Sequence, residues 1–471
     1  METIEDIEKD NIYSRVKQKY TIIAGLSDVN DAYAFVTAGY AIPFLILAYP
    51  YITVLEEGLI PFALSFGVFF GAFFGGRMGD RFGRKTIYLY DMILMTLFAI
   101  IAGLSFSFIM FIVAFFFAGV SVGVDVPVSW SLIAEIAPKN RRAYALSVPY
   151  VLWIIGSTLP VFVYVLLYWV YPVGAVGFRI MFFIMAIISF VTWLLRFQLK
   201  ESDRWEIIDK TIKDKNNNIT IYANGKEAKL PLINKFRDFI NFFGKYYIIL
   251  IIMYVCSGMV ASAFGTFGPI IQPSIAAGIP EKTVFILTAY SLIFSSIPVA
   301  IAAPLILTWI SENYGQRKMF ILAMSVAIVM LGIAAGFLLV KTIMITVPFT
   351  AFIYYISTTT VFSIFYLMGY AYSPLIRVFS TEIWPTNLRS TIQGQVWSYM
   401  RLVSAFWLFG FPAMDALIGF SGLLIFMFGF MAIILVMGIL MPNVSKKSLE
   451  EIQYDIINKK IIKEKKVIEN E

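Results

Sequence analysis

Twelve long apolar stretches, joined by short polar connections, dominate the pattern of the chain. Each is long enough to cross the roughly 30 Å hydrocarbon core of a bilayer as an α-helix, which rises about 1.5 Å per residue. Six of them precede and six follow a polar segment at residues 200–245. The predicted spans are residues 20–49, 58–76, 86–105, 108–135, 143–171, 178–199, 246–273, 283–310, 319–340, 343–380, 390–417 and 421–441.

The amino-acid composition agrees with this pattern. Of the 471 residues, 59% are hydrophobic and only 14% are charged, whereas soluble domains carry about 25% charged residues. We therefore predict an all-α membrane protein with twelve transmembrane helices arranged as two six-helix bundles.

Two residue types that carry much of enzyme chemistry are almost absent. The chain has one cysteine, Cys256, and no histidine. An intramolecular disulfide and a thiolate metal cluster are therefore excluded, and the usual zinc, haem and Ser-His-Asp chemistries lack their histidine. We expect no metal, no cofactor and no enzymatic reaction, and any proton relay must use carboxylates.

The 37 Lys and Arg residues predict the orientation, because cytoplasmic loops carry an excess of them. In this topology only Arg179, Lys282 and Lys341 fall on the outer side. The others lie in or beside predicted cytoplasmic segments, except Arg401, which lies deep inside a span. We therefore expect a multi-pass protein of the plasma membrane with both termini in the cytoplasm. The predicted parts are an amino-terminal tail at 1–19, bundles at 20–199 and 246–441, a central cytoplasmic loop at 200–245 and a carboxyl-terminal tail at 442–471.

Both polar segments contain short predicted elements. In the central loop an alternating pattern surrounds Asn224 and Gly225, which predicts a β-hairpin over residues 219–230. The tail reads as a charged helix with one apolar side, which either packs on the bundle, the interpretation we favour, or binds a partner. That side comprises Leu449, Ile452, Ile456 and Ile457.

Two pairs of matching segments indicate that the two halves share one design. Residues 134–142 and 381–389 both carry Glu, Ile, Pro, Asn and Arg in register, and each closes the fourth span of its half. A weaker pair, residues 76–85 and 311–318, follows the second span of each half.

Residues 76–85 resemble the G-x-x-x-D-R-x-G-R-K motif of the major facilitator superfamily. The repeated Glu and Arg pairs and residues 201–205 add to this resemblance. Together these features are similar to those of the sugar porter and metabolite:proton symporter branch of the superfamily. Residues 201–205 are similar to the sugar porters' P-E-S-x-R-W motif, with Lys200 in place of the proline. The resemblance covers the whole chain and implies alternating access by rocking of the two bundles.

The charged residues of these motifs lie at the cytoplasmic ends of predicted helices, where they are suited to gating. Asp80 and Glu135 can accept charge-assisted bonds from Arg81, Arg84 or Arg142, and the second half can repeat this arrangement. The alternative is that the cationic residues only anchor the topology, but carboxylates add little to orientation, so we favour a gate. The gate candidates are Gly76, Asp80, Arg81, Gly83, Arg84, Glu135, Arg142, Glu382 and Arg389.

Ionisable residues in mid-membrane mark functional sites, because each costs at least ~2.5 kcal/mol to insert. Asp31, Asp125 and Arg401 lie about ten residues from the ends of their spans, near the midplane. The Asp residues belong to one half and Arg401 to the other, so a charged substrate or a transient ion pair can bridge them. A permanent Asp-to-Arg401 staple is the alternative. Asp28 and Asp91 read either as relay groups or as solvated end residues.

A narrower resemblance concerns the same acids. Asp31, Asp91, Asp125 and Arg401 resemble charged positions of the phosphate:proton and aromatic-acid:proton symporters. Ala34 stands where their second acid of span one is found, and span seven lacks both the acid of the phosphate type and the Gln pair of the hexose type.

Polar side chains in spans seven, eight and ten either line the transport path or bond a neighbouring helix backbone. These candidates are Ser257, Ser262, Tyr290, Tyr355 and Thr358.

We therefore predict a secondary active transporter for a small polar metabolite, with proton-coupled symport of an organic or inorganic anion as the leading hypothesis. A monosaccharide transporter or a uniporter is the alternative, and a non-transporting nutrient sensor ranks below it. The expected partners are a small-molecule substrate, protons and the lipid bilayer, with no nucleic acid, and the expected state is a monomer.

Overall fold

The structure is a computed structural model. It describes residues 14–170, 173–214, 218–223, 226–233, 236–266, 308–339, 357, 361, 364–365, 372–442, 444 and 447–468. Predicted span eight, apart from its last three residues, and much of span ten lie outside the described residues.

The amino-terminal half is a bundle of long helices joined by short turns. A π-helical turn at Leu166–Val170 and a 3₁₀ turn at Gly174–Val176 connect the last two of them. The helices are α1 Arg15–Tyr40, α2 Ile42–Ala48, α3 Val54–Phe82, α4 Arg84–Gly103, α5 Phe108–Ile136, α6 Arg142–Val165 and α7 Gly177–Arg196.

The central segment and the carboxyl-terminal half follow. Residues 372–382 are also helical. The elements are α8 Asp203–Lys213, β1 Asn218–Ala223, β2 Lys226–Pro231, α9 Phe236–Thr266, α10 Thr308–Tyr314, α11 Gln316–Leu339, α12 Arg389–Ile439 and α13 Leu449–Ile468.

Within the described residues, eight helices are long and apolar enough to cross a membrane, or nine if a bent pair counts as one span. The bent pair corrects the prediction of one continuous span at 20–49, because α1 and α2 meet at an angle of 54°. Pro43 is the second residue of α2. It lacks an N–H group and its ring clashes with the carbonyl one turn earlier, which accounts for the bend.

Helix α3 is longer than the predicted span 58–76. It continues into the motif at 76–85 and ends at Phe82. Only Gly83, with φ of 93°, separates it from α4, a conformation that residues with a Cβ rarely adopt.

The glycines of α3 allow close packing of helix backbones. A Cβ on Gly67 would lie 2.1 Å from the carbonyl oxygen of Phe116, and one on Gly71 would lie 2.0 Å from that of Val120. The backbones of α3 and α5 are therefore in direct contact. Gly76 makes a similar approach to Ser390 of α12, at 2.1 Å, so α3 also joins the two halves.

Helix α12 contains both of the last two predicted spans. Its backbone leaves helical geometry at Gly419, where φ is 68°. The break falls between the predicted spans 390–417 and 421–441, in agreement with the sequence.

One end of the bundle, here called the base, comprises residues 79–84, 135–142, 382–391 and 447–457. It corresponds to the predicted cytoplasmic side. The predicted tail helix packs there as α13, and its four apolar residues Leu449, Ile452, Ile456 and Ile457 are buried, which confirms packing on the bundle.

The predicted hairpin is also confirmed. Strands β1 and β2 pair antiparallel, with Ala223 opposite Lys226. Asn224 and Gly225 lie outside the described residues.

Candidate transport site

A cavity of about 210 Å³ lies between the two halves. It is smaller than the roughly 300–1,000 Å³ pockets that hold drug-sized ligands, so it suits a small metabolite. Helices α1, α5 and α6 line one side, and α9, Phe365, residues 372–377 and α12 line the other. The lining residues are Phe35, Val36, Trp130, Tyr150, Trp153, Ser157, Tyr254, Ser257, Gly258, Val260, Ala261, Ser262, Phe365, Tyr372, Ser373, Ile376, Arg377, Trp397, Met400 and Arg401.

Two predicted cavity residues, Ser257 and Ser262, line this space. Tyr290, Tyr355 and Thr358 lie outside the described residues.

Arg401 faces the cavity between two aromatic rings. Its guanidinium lies 3.9 Å from the ring centre of Phe35 and 4.4 Å from that of Trp397, which are favourable cation–π distances. Only 6% of Arg401 is exposed. No carboxylate among the described residues forms an ion pair with it, so the alternative of a staple between Arg401 and Asp31 or Asp125 is not present in this conformation.

Asp125 instead pairs with an arginine of its own half. Arg196 donates to Asp125 Oδ2 at 2.8 Å and to Asp91 Oδ1 at 2.7 Å, and all three side chains are buried. Its guanidinium also stacks over Tyr88 at 4.0 Å. Asp91 is therefore not a solvated end residue.

Asp31 lies in the same buried region without a partner of this kind. Its carboxylate oxygens are both buried and accept no hydrogen bond within the described part of the chain. It lies within electrostatic range of Asp125, Asp28 and Arg196. The region thus holds an excess of carboxylates over arginines.

Asp28 connects the two halves. Its Oδ2 accepts a hydrogen bond from Arg377 Nη2 at 2.8 Å, and its Oδ1 accepts one from Trp130 Nε1 at 3.4 Å. The Arg377 guanidinium also lies 3.7 Å from the ring centre of Trp130 and 4.7 Å from that of Tyr150. An arginine of the carboxyl-terminal half therefore occupies a socket made by the amino-terminal half.

Sequence reasoning missed Arg196 and Arg377. Each lies within four residues of the end of its predicted span, so both were assigned to the cytoplasmic boundary as topology anchors. The sequence feature that could have identified them was the presence of acidic residues one or two helical turns away in neighbouring predicted spans. Pairing them required the rotation of each helix, which the apolar pattern does not specify.

At the base, Arg84 is fully buried and bonds several groups at once. Its Nη2 lies 3.1 Å from Asp80 Oδ1 and 3.0 Å from Glu135 Oε1. The same nitrogen donates to the carbonyl of Thr386, in the other half, at 3.0 Å.

The two repeats are paired crosswise. Arg389 Nη1 donates to Glu135 Oε1 at 2.9 Å, and Arg142 Nη1 lies 3.5 Å from Glu382 Oε1. The expected pairing within one half is therefore present for Arg84 with Asp80 and Glu135, but it is wrong for Arg142 and for Arg389. The arginine of each repeat reaches across to the glutamate of the other, because the rotational symmetry that relates the halves brings the two repeats face to face.

Helix ends are capped crosswise as well. Asp80 accepts hydrogen bonds from the backbone N–H groups of Ser390 and Thr391, at 3.2 and 2.7 Å, in the first turn of α12. In the other direction, Glu312 accepts one from the N–H group of Tyr144, at 3.0 Å, in the first turn of α6. Carboxylates at these positions also interact favourably with the helix dipole.

Glu382 lies just beyond the predicted end of span ten. Burial raises its pKa to about 7, although Arg142 opposes this effect. Its ionisation is therefore sensitive to pH close to neutrality.

The structure corrects the prediction that Arg81 belongs to the gate. Its side chain is exposed and points at the ring of Phe82, with 5.4 Å to the ring centre, so it takes no part in the described ion-pair network.

At Gly83, an added Cβ would lie 2.4 Å from Glu201 Oε2. Glu201 needs this space, since it accepts bonds from the N–H groups of Arg84 and Lys85 at 3.0 and 3.1 Å.

Further contacts hold α13 in the base. Arg204 of α8 forms a buried ion pair with Glu450 of α13 at 2.5 Å. Gln453 of α13 donates to the carbonyl of Trp384 at 3.0 Å. These contacts tie the tail helix to both the central segment and the carboxyl-terminal half.

A bundle with a cavity between its halves, closed at one end by ion pairs that cross from one half to the other, defines an alternating-access membrane transporter. The chain belongs to the sugar (and other) transporter family, whose model matches residues 9–456. It is therefore a transport protein and not an enzyme.

Individual relatives support this assignment. The minor myo-inositol transporter IolF of Bacillus subtilis is 27% identical over 380 residues, which cover 79% of each chain. The putative metabolite transport protein YaaU of Escherichia coli is 23% identical over 327 residues, or 68% of each chain.

The fold is that of the major facilitator superfamily. The proton:xylose symporter XylE of Escherichia coli, solved with 6-bromo-6-deoxy-D-glucose, aligns over 94% of this chain and 99% of its own, with a TM-score of 0.71 and 17% identity.

Proposed function

We propose that the protein is a proton-coupled secondary transporter of a small metabolite that carries an anionic group. The observation that carries the proposal is Arg401, a buried arginine that faces the cavity without a carboxylate partner among the described residues. A buried cation without a counter-charge is unfavourable. A substrate anion that pairs with it would remove this penalty, and the rings of Phe35 and Trp397 would hold the guanidinium in place.

Proton coupling is supported by the count of buried charges. Asp91 and Asp125 share Arg196 as their ion-pair partner. Asp31 lies within electrostatic range of the same arginine, and both of its oxygens accept no hydrogen bond from described residues. Three ionised carboxylates around one arginine would leave uncompensated negative charge in a low-dielectric interior. We infer that this cluster binds a transported proton, with Asp31 as its principal carrier.

Alternating access would use the base as its gate. The pairs Glu135 with Arg389 and Arg142 with Glu382 join the two halves there, so they must separate before the cavity can open in that direction. We also propose that residues 200–245 and both termini face the cytoplasm, that the two bundles comprise residues 20–199 and 246–441, and that the protein acts as a monomer in the plasma membrane.

A neutral polyol or sugar is the second candidate. The relative IolF is named as a myo-inositol transporter, and the cavity offers hydroxyl groups from Ser257, Ser262 and Tyr254 beside aromatic rings.

The test is uptake into proteoliposomes of the purified protein, with and without an inward proton gradient. The panel contains organic acids, inorganic phosphate, hexoses and myo-inositol. We expect saturable, gradient-dependent uptake of an organic acid, and an Arg401→Gln variant that loses it. Uptake of myo-inositol or a hexose with no uptake of any acid would overturn the anion assignment, and uptake insensitive to the gradient would overturn proton coupling.

A further inference from the structure

Two arginines of the carboxyl-terminal half face the cavity, but one of them is already neutralised. Arg377 is paired with Asp28 at 2.8 Å, whereas Arg401 has no such partner among the described residues. We propose that Asp28, by occupying Arg377, sets the number of negative charges on the transported substrate to one. This inference rests on the proposed function, since it specifies the class of anion as a monoanion.

The side chains around Arg377 contact its guanidinium on several sides, but they do not accept hydrogen bonds from all of its N–H groups. Trp130 and Tyr150 contact it through their rings, and Asp28 binds only Nη2. Its Nε and Nη1 atoms are buried and donate to no described group, while the residue itself lines the cavity. Arg377 is therefore able to bind an anionic group, and Asp28 is the group that now satisfies its charge.

The charges around the cavity add up simply. Arg377 and Arg401 are the only charged residues among those that line it in the described part of the chain. Tyr150 interacts electrostatically with both arginines and with Asp28, so the three charged groups share one neighbourhood. Two positive charges and the negative charge of Asp28 leave one positive charge for the substrate. Asp31, near Arg401, carries no charge in the protonated state that would bind substrate.

Replacement of Asp28 by Asn keeps the size of the side chain and removes its charge. Arg377 then lacks a counter-ion, and two cations face the cavity instead of one. A substrate with two anionic groups gains a partner for the second group, because burying a charge is favourable only when it is paired. We expect the affinity for a dianion, relative to an isosteric monoanion, to rise about tenfold or more.

The experiment uses the purified full-length protein and probes that differ in charge but hardly in size. These are the linear C3 to C6 dicarboxylates, their monoamides and their diamides, with two, one and no negative charges at pH 7.5. Binding is measured by isothermal titration calorimetry for the wild type and the Asp28→Asn variant. The quantity compared is the ratio of dicarboxylate to monoamide affinity. A shift between conformations that affects both probes equally leaves this ratio unchanged.

We expect the wild type to prefer the monoamides and Asp28→Asn to move the preference towards the dicarboxylates. The double variant Asp28→Asn with Arg377→Gln should return the ratio to its wild-type value, because the second cation is then absent. A ratio that is the same in the wild type and in Asp28→Asn, or a double variant that keeps the altered ratio, would refute the inference.

The same data separate this inference from the proposed function. If the diamides bind the wild type as well as the monoamides do, and Arg401→Gln changes neither, the site is not selective for anions and the proposed function fails. If monoamides bind through Arg401 but Asp28→Asn leaves the ratio unchanged, only the assignment of Asp28 fails.

Discussion

Glu135 and Arg389 come from opposite halves of the chain and meet in a hydrogen bond of 2.9 Å, with neither side chain exposed. Their counterparts in the repeat, Glu382 and Arg142, meet in the reverse direction at 3.5 Å. Each half therefore depends on the other to neutralise its buried charges. This mutual dependence makes the base a two-state contact, either closed with both pairs formed or open with both pairs separated and hydrated.

Reversal of one crosswise pair gives a direct test of this arrangement. We expect Arg142→Glu and Glu382→Arg, as single variants, to destabilise the closed base, since breaking a buried pair costs about 3–5 kcal/mol. The double variant should recover part of the closed population. The measurement is the rate at which a maleimide labels Ser257→Cys in inside-out vesicles, in a Cys256→Ser background. Equal labelling of the double and single variants would show that these residues do not act as a pair.

Replacement of Asp80 by Asn should slow transport far more than it weakens binding. Asp80 caps the first turn of α12 and pairs with Arg84, but it is not among the residues that line the cavity. We expect the transport rate to fall about tenfold, equivalent to about 1.4 kcal/mol, with a change in substrate affinity of less than about threefold. Arg84→Gln should behave likewise. Normal turnover with lost binding would contradict a role in gating.

The pH dependence of the base follows from Glu382. Its pKa is about 7 in the closed base and returns towards the ordinary value of about 4.3 when the base opens and the group is hydrated. The conformation with the higher pKa binds the proton more tightly, so the closed base is favoured as pH falls and loses stability as pH rises through about 7.

We therefore expect labelling of Ser257→Cys from the base side to increase with pH between about 6 and 8. The reactivity of the thiol itself also increases with pH, and Glu382→Gln provides the control because it keeps that effect and removes the titration of the carboxyl group. Identical pH profiles for the two proteins would exclude Glu382 as the responsible group.

Replacement of Asp31 or Asp125 by Asn tests proton coupling. Accumulation against a gradient needs a group that takes up a proton on one side and releases it on the other, whereas exchange needs only a cavity that opens to both sides. We expect at least one of the two variants to lose uphill uptake while counterflow exchange remains measurable. Asp209→Asn, which alters only a surface ion pair with Lys213, is the matched control.

If both Asn variants drive uphill uptake at the wild-type rate with an unchanged pH profile, neither aspartate is the proton carrier. Asp125 would then serve only to neutralise Arg196.

The predicted topology has its own test. In a Cys256→Ser background, Asn224→Cys should resist a membrane-impermeant maleimide added to intact cells and react after the membrane is opened. Tyr51→Cys, at an exposed position of the opposite connection, should react in intact cells. Labelling of Asn224→Cys in intact cells would place the central segment outside the cell and overturn the predicted orientation.

The sequence by itself determined the helices of this protein. Transmembrane spans follow from apolar length alone, because a bilayer leaves a chain few ways to satisfy its backbone. The break between the last two spans, which falls at Gly419, was also predicted, because it interrupts the apolar pattern of the chain. The apolar side of α13 also predicted its packing.

Only the tertiary structure decided which charges meet. Asp125 was expected to face Arg401 but pairs with Arg196, and Asp28 pairs with Arg377, 349 positions away. Depth along each helix can be counted from the sequence, but an ion pair also requires that two helices be adjacent and rotated towards each other. Those two quantities come from the packing of all helices together, and a small rotation of one helix decides which arginine is available to bind a ligand.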